Sequence, residues 1–216
     1  EWLHFSQEEM AAAVKGERRE QPGRMDRPAP RGEPSGEMAL ADLRVLELGS
    51  GLGGSFAAAL LADFGAEVIK VEEPGVGDTL RHLPPFCDEA PLWWAVEGRN
   101  KKSITLDLRT EGGRELFLRL AAQSDVVIES FQAGTLERWD LGYERLSQLN
   151  PRLVLLRASG FGQEGPYRDR AGGEGVASAL GGFTHMTGFL DSTPLRAGYS
   201  LAGYSAGIFG AMAVLS

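Results

Sequence analysis

VLELGSGLGG, residues 45–54, joins an apolar run to a glycine-rich turn. Gly49, Gly51 and Gly54 in this turn match the pattern G-x-G-x-x-G. A glycine turn between a strand and a helix lets a ligand approach the backbone closely, and it directs free N–H groups toward negative charge. The segment therefore predicts a ligand site at the end of a β-strand.

The glycine turn alone leaves the ligand open. A dinucleotide is one interpretation, because Glu72 ends the next apolar run, where an acid that binds a ribose is expected. The letters VLELGSG also resemble the first motif of methyltransferases that use S-adenosylmethionine. Tight packing of a helix against the preceding strand explains the same glycines without any ligand.

Apolar runs rich in β-branched residues and leucine alternate with helical patterns after residue 43. The runs typical of strands are 43–48, 66–72, 102–108, 125–131 and 152–159, and the helical patterns are 55–64, 110–123 and 135–150. This alternation predicts an α/β fold, a Rossmann-like parallel sheet with helices on both faces. Ligands of such sheets bind outside the carboxyl ends of the strands.

Composition limits the possible partners and the compartment. The formal net charge is −8, which does not indicate a nucleic-acid-binding surface. The single cysteine, Cys87, excludes an internal disulfide framework and is typical of a reducing compartment. No apolar run reaches the roughly 18 residues that a membrane helix needs. We expect a cytoplasmic protein that binds neither nucleic acid nor membrane.

The chain is predicted to have three parts. Residues 1–16 contain a short helical pattern, in which Ser6 and Glu9 are spaced as a capping box. Residues 17–37 are rich in proline, glycine and charge and predict a flexible linker. Residues 38–216 form the α/β part. The chain begins at Glu1 and ends inside an apolar helical pattern, so we expect a fragment of a longer protein.

A longer context identifies a family. The segments GAEVIKVEEPGVGD (residues 65–78), NKKSITLDL (100–108), NPRL (150–153) and SGFGQEGPY (159–167) follow one another in the chain. Together they closely resemble the class III CoA-transferases, which include formyl-CoA transferase, carnitine CoA-transferase and α-methylacyl-CoA racemase. The resemblance runs from about Leu40 to the end of the chain. It implies a sheet that helps to bind CoA, with no metal and no NAD.

The resemblance also implies which residues contact CoA. The family's contact segments align with six residues of this chain: Leu106, Arg109, Ser130, Phe131, Gln132 and Arg138. CoA carries phosphates, an adenine and a thiol on a long arm, so it requires cations for the phosphates and an apolar wall for the base. We expect Arg109 and Arg138 to meet phosphate or ribose, and Phe131 to form the wall.

Several positions depart from the family pattern. Gly203 stands where the family has the aspartate whose carboxylate attacks the acyl-CoA, and a glycine cannot perform that step. Glu73 stands where many members have an arginine, and Leu52 where formyl-CoA transferase has a glutamine. Glu174 remains the candidate active-site acid, with capping of the helix that follows it as the alternative role.

Three functions follow as expectations. The first is an enzyme that moves CoA between an acyl-CoA and a small carboxylic acid. The second is an acyl-CoA racemase or isomerase with Glu174 as the base. The third is a non-catalytic half that supports a catalytic one, since the first 16 residues resemble the end of a family unit. An interlocked homodimer or a second fused unit is the expected assembly.

Overall fold

The computed structural model describes residues 38–216, and the predicted parts at 1–16 and 17–37 lie outside them. The strands are β1 (Arg44–Leu48), β2 (Glu67–Glu72), β3 (Phe86–Cys87), β4 (Ala90–Pro91), β5 (Lys101–Thr105), β6 (Val126–Glu129) and β7 (Val154–Arg157). The helices are α1 (Leu52–Asp63), α2 (Leu92–Glu97), α3 (Glu111–Ala121), α4 (Thr135–Arg138), α5 (Tyr143–Leu149), α6 (Glu174–Leu180), α7 (Phe183–Met186) and α8 (Leu201–Leu215). A 3₁₀ turn spans Thr79–Arg81.

Five strands form one parallel sheet in the order β5-β2-β1-β6-β7, and β3 and β4 make a separate small hairpin. The chain winds outward from β1 in both directions, so the strand order reverses between β1 and β6. In sheets of this kind the crevice at the reversal is the usual ligand site. The predicted α/β class is confirmed.

Side chains alternate between the two faces of the sheet, and helices cover both. Leu46 and Leu48 of β1 belong to a buried cluster with Phe117 of α3. Val45 belongs to a second cluster, which includes Ala58 of α1. This alternation follows from the period of two along a strand. The predicted placement of helices on both faces is confirmed.

The prediction of one helix over 135–150 is wrong, because α4 ends at Arg138 and α5 begins at Tyr143. Asp140 adopts a left-handed backbone conformation with φ of 56°. The Leu141 N–H donates back to the Leu136 carbonyl at 2.8 Å, which closes the end of α4. A hydrophobic pattern that continues across such a turn does not reveal it.

Helix α8 contains no charged residue and packs against α1. A Cβ atom at Gly207 would lie only 2.9 Å from the Gly53 carbonyl oxygen, so the two helices approach backbone to backbone. The opposite side of α8 carries Phe209 and Met212, which are exposed. Gly207 therefore lets α8 pack closely against the first turn of α1.

We predict that Gly113→Ala destabilises the fold. A Cβ atom at Gly113 would lie 1.9 Å from the Asp107 carbonyl oxygen, so the backbone at the start of α3 must shift. Overpacking of this kind costs about 1–3 kcal/mol. For a domain of this size the loss lowers Tm by about 3–10 °C, which differential scanning calorimetry measures.

The matched control is Gly175→Ala, also in the first turn of a helix, where a Cβ atom meets nothing within 4 Å. Alanine favours a helix over glycine by up to about 1 kcal/mol, so Tm should stay or rise slightly. An equal Tm for both variants would contradict the close approach at Gly113.

Candidate functional site

A cavity of about 440 Å³ opens at the carboxyl ends of β1, β2, β5 and β6, where the strand order reverses. Five of the six residues that the resemblance implies for CoA line it: Leu106, Arg109, Ser130, Phe131 and Gln132. The other lining residues come from the glycine turn, the segment 70–79, the turn at 107–108 and Trp139. Residues from four loops, distant in the chain, thus meet in one crevice.

Arg138 is the sixth implied residue, and it does not line this cavity. Its side chain turns back along α4, where Nη2 donates to Thr135 Oγ1 at 2.7 Å. The break after α4 places Trp139, rather than Arg138, on the cavity wall.

Phe131 forms an aromatic wall of the cavity. Its ring packs edge-on against Trp139, with 5.2 Å between ring centroids. A Cβ atom at Gly49 would lie 3.2 Å from the Phe131 ring, and Gly49 has φ of 76°, so only glycine fits comfortably there. The glycine turn therefore lets this ring close over the end of β1.

Glu129, at the end of β6, holds the loop that contains Phe131 in place. Its Oε2 accepts a hydrogen bond from the Phe131 N–H at 2.7 Å, and its Oε1 accepts one from Arg157 Nε at 2.8 Å. Glu129 is fully buried, and burial raises the pKa of its carboxyl despite the neighbouring guanidinium. The wall residue is thus anchored through its backbone.

Arg109 is the exposed cation of the cavity, and two carboxylates hold it. Its Nε donates to Asp107 Oδ1 at 2.8 Å, and its Nη2 donates to Glu73 Oε1. The Arg109 guanidinium lowers the pKa of the Asp107 carboxyl. Any anion that binds Arg109 therefore meets a partly neutralised charge.

Lys70 is a lining residue that the sequence analysis missed. Its ammonium is buried and bonds to Glu47 Oε1 at 2.8 Å, to Asp78 Oδ2 at 2.6 Å and to the Gly49 carbonyl oxygen. Burial lowers the pKa of Lys70, but the two carboxylates outweigh it and the pKa ends above its usual value. The signal in the sequence was a lysine in one apolar strand and a glutamate in its neighbour.

Glu72 also faces the cavity, but its oxygens are already bonded. Arg81 donates to both of them at 2.7 Å, the Asp78 N–H donates to Oε2 at 2.7 Å, and Ser103 also donates. Such a carboxylate has little capacity left to accept hydrogen bonds from a ribose. The role that the dinucleotide interpretation gave to Glu72 therefore finds no support in this geometry.

Glu174 lies at the start of α6 and reaches across to the start of α8. Its oxygens accept hydrogen bonds from the N–H groups of Ala202 at 3.1 Å and Gly203 at 2.9 Å, and from Ser178 Oγ at 2.8 Å. The alternative prediction is that Glu174 caps the helix at whose start it lies, α6. That prediction is wrong, because the carboxylate caps α8. Burial raises the pKa of Glu174, but these hydrogen bonds outweigh it and leave the pKa below its usual value.

Gly203 contacts the residue that follows the glycine turn and does not line the cavity. A Cβ atom at Gly51 would come within 2.9 Å of Ser130 Cβ, on the cavity side. A Cβ atom at Gly203 would lie 3.0 Å from Cδ2 of Leu52, the first residue of α1. The turn therefore connects the cavity with the helix start that Glu174 caps.

Next to Gly203, Tyr204 ties the first turn of α8 to the interior. Its hydroxyl donates to Glu97 Oε1 at 3.0 Å, and Glu97 is fully buried. Burial raises the pKa of the Glu97 carboxyl, and burial together with Glu97 raises the pKa of Tyr204 to about 12. This contact fixes α8 against α2.

Two findings bear on other classes of protein. Within residues 38–216, no three His, Cys, Asp or Glu side chains gather in a way that could hold a metal ion. None of the helices in this range has the length and apolarity needed to cross a bilayer.

We predict that Glu72 makes the stability depend on acid pH. Burial raises its pKa, but bonds from Arg81, Ser103 and the Asp78 N–H outweigh it and lower the pKa from 4.5 to about 2. Because the folded pKa lies below the unfolded value, the stabilisation is complete above about pH 4.5 and is lost as the pH falls to about 2. The shift corresponds to about 3 kcal/mol.

The measurement is urea unfolding of the protein and of Glu72→Gln from about pH 7 to about pH 2, the range over which this carboxyl titrates in both states. The variant should be less stable at neutral pH, and its stability should change less with pH. Glu67→Gln, which removes an ion pair with Lys102 at the other end of β2, is the control and should cost less than about 1 kcal/mol. Parallel pH profiles for the protein and Glu72→Gln would contradict the assignment.

The comparisons with known proteins agree with this architecture. The model of CoA-transferase family III matches residues 40–216. The succinyl-CoA--D-citramalate CoA-transferase of Chloroflexus aurantiacus is 52% identical over 177 residues, covering 82% of this chain and 44% of the relative. The alpha subunit of the succinyl-CoA--L-malate CoA-transferase from the same organism is 43% identical over 182 residues, covering 83% of this chain and 42% of the relative.

A solved structure is similar as well. The crystal structure of a CAIB/BAIF family protein from Brucella suis superimposes with a TM-score of 0.78 at 39% identity, covering 82% of this chain and 48% of that one. The chain thus spans slightly less than half the length of the relatives it matches. The family model covers most of the chain, and the chain belongs to CoA-transferase family III.

Proposed function

We propose that the chain binds the CoA part of an acyl-CoA in the cavity at the carboxyl ends of β1, β2, β5 and β6. We further propose that it belongs to an enzyme that moves CoA between an acyl-CoA and a small carboxylic acid. The observation that carries the proposal is the meeting of Leu106, Arg109, Ser130, Phe131 and Gln132 in one crevice. The two similar transferases from Chloroflexus aurantiacus are named for succinyl-CoA, which supports a dicarboxylic acid as a substrate.

The chemistry of the cavity supports a nucleotide thioester. Phe131 and Trp139 offer an apolar wall that suits an adenine, and Arg109 offers a guanidinium that suits a phosphate. The hydroxyl of Ser130 and the amide of Gln132 add neutral hydrogen-bonding groups. A small number of polar groups on an apolar wall is the usual composition of a cofactor pocket.

The covalent step of CoA transfer is separate from the binding of CoA. In the mechanism that the resemblance implies, a carboxylate attacks the acyl-CoA carbonyl, the CoA thiolate leaves, and a mixed anhydride forms. The thiolate then attacks the enzyme's carbonyl of that anhydride, which releases the acyl group as a carboxylate. Gly203 cannot supply the attacking carboxylate. We therefore propose that this segment is a CoA-binding half, and that a second unit supplies the nucleophile.

The assembly follows from the same argument. One similar protein is named as the alpha subunit of a CoA-transferase, which supports an enzyme made of more than one unit. A second copy of the family unit, fused or separate, would complete such an enzyme. The exposed apolar side of α8, with Phe209 and Met212, is consistent with burial in an assembly of this kind.

The racemase alternative has less support from the site. A base that removes an α-proton works best with a pKa near the working pH. The pKa of Glu174 lies below its usual value, and both of its oxygens accept hydrogen bonds at the start of α8. These contacts favour a positioning role for Glu174.

We predict that CoA binds in the cavity and that Phe131 carries much of the affinity. Loss of the aromatic wall in Phe131→Ala should weaken CoA binding about tenfold, since stacking on a base contributes about 1–3 kcal/mol. Arg109→Gln should weaken CoA binding by about three- to tenfold through loss of the cation. Isothermal titration calorimetry with CoA measures both effects.

Two arginine variants serve as comparisons. Arg152→Gln changes an exposed residue just before β7, at the end of the sheet opposite the cavity, and should leave CoA binding unchanged. Arg138→Gln should weaken binding less than Arg109→Gln, since Arg138 does not line the cavity. Equal CoA affinity for Phe131→Ala and the unmodified chain would exclude the cavity as the CoA site.

We also predict that the chain alone forms no covalent CoA adduct. After incubation with succinyl-CoA and reduction by borohydride, peptide mass spectrometry should find no modified carboxylate in a chain that binds CoA by calorimetry. When a dicarboxylic acid is also added, no CoA should be transferred to it. A borohydride-trapped adduct on Glu174 would overturn the proposal and make this residue the nucleophile.

A further inference from the structure

The mouth of the cavity carries charges of both signs in contact with each other. Arg109, whose side chain is 57% exposed, is paired with Asp107 and with Glu73, whose side chain is 43% exposed. All three residues line the cavity. The exposed cation of the cavity is therefore shared between two carboxylates.

The two carboxylates are held differently. Asp107 lies two residues before Arg109 and also accepts a hydrogen bond from the Arg109 backbone N–H at 2.9 Å, so it belongs to the same turn. Glu73 comes from a different loop, after β2, and its side chain reaches Arg109 through Nη2 alone. The Glu73 contact is thus the one that a ligand can replace without disturbing the Asp107 turn.

The backbone keeps Glu73 at the mouth even when its contact with Arg109 is broken. Its carbonyl oxygen accepts hydrogen bonds from the N–H groups of Val76 at 3.2 Å and Gly77 at 2.9 Å, which closes a turn at the cavity edge. A ligand phosphate at Arg109 therefore lies close to a carboxylate. Like charges at such a separation repel, and the repulsion grows with the charge of the ligand.

We propose that Glu73 is a specificity-determining residue, which competes with the ligand's phosphates for Arg109 and so imposes a binding penalty that grows with the negative charge of the ligand. The inference rests on the proposed binding of CoA in this cavity. Within the class of pantetheine thioesters, Glu73 penalises CoA most, dephospho-CoA less because it lacks the 3′-phosphate, and pantetheine not at all. Glu73 thereby reduces the difference in affinity between CoA and pantetheine that the phosphates would otherwise produce.

The test compares Glu73→Gln with the unmodified chain by calorimetry against CoA, dephospho-CoA and pantetheine. The variant should bind CoA about three- to tenfold more tightly at low salt, dephospho-CoA with a smaller gain, and pantetheine with no gain. The gain should shrink in about 0.5 M NaCl, because salt screens exposed charges. In an Arg109→Gln background the same substitution should give a smaller gain, because only the direct repulsion between carboxylate and phosphate remains.

The control is Glu67→Gln, the same change in an exposed ion pair at the other end of β2, which should not alter the affinity for any of the three ligands. An equal gain for all three ligands, or no gain for CoA, overturns the proposal. A gain of equal size without Arg109 overturns the competition for that residue. If the chain does not bind CoA, or if Phe131→Ala leaves CoA binding unchanged, the cavity proposal fails and this inference fails with it. If Phe131→Ala weakens CoA binding but Glu73→Gln changes nothing, only this inference fails.

Discussion

The buried ammonium of Lys70 is the constraint on which the site depends. A charge removed from water is tolerated only when its partners are in place, and loss of one partner typically costs about 3–5 kcal/mol. Lys70 has three oxygen partners, in β1, in the glycine turn and in the loop after β2. Glu47 and Lys70 are direct neighbours in the register of β1 and β2, so a slip of one residue would separate them. Lys70 thus fixes the register of β1 and β2, and it holds the glycine turn and the loop after β2 at the cavity.

The same cluster extends toward the helices. Glu47 also pairs with the buried ammonium of Lys101 at 2.7 Å, and Lys101 bonds to the Ser55 carbonyl oxygen of α1 at 2.7 Å. Burial lowers the pKa of Lys101 despite its pairing with Glu47. The buried charges of the sheet therefore hold the first turn of α1, against which α8 packs. The cavity and the start of α8 share one electrostatic framework.

The sequence was sufficient to predict the sheet and to name five residues that line one cavity, and insufficient where a side chain acts across the fold. Apolar runs and glycine turns are contained in short segments of the sequence. The parallel sheet, and the edge of the sheet at which ligands bind, could therefore be predicted. The break after Arg138 depends on the left-handed Asp140, which a hydrophobic pattern does not record. The target of Glu174 depends on two backbone amides 28 and 29 residues away, and nothing local distinguishes it from a cap of its own helix. Lys70 was overlooked because its partners come together only in the folded sheet.

The position of β1 in the sheet also affects how the chain reaches this structure. One edge of β1 pairs with β2, which follows closely, but the other edge pairs with β6, where Val45 lies opposite Val126. Pairing between such distant residues is slow, because a long loop must close before the contact forms. During synthesis, an apolar central strand keeps one open edge until β6 has been made, and open edges of this kind promote aggregation. The length of chain between β1 and β6 therefore sets how long the nascent protein stays vulnerable.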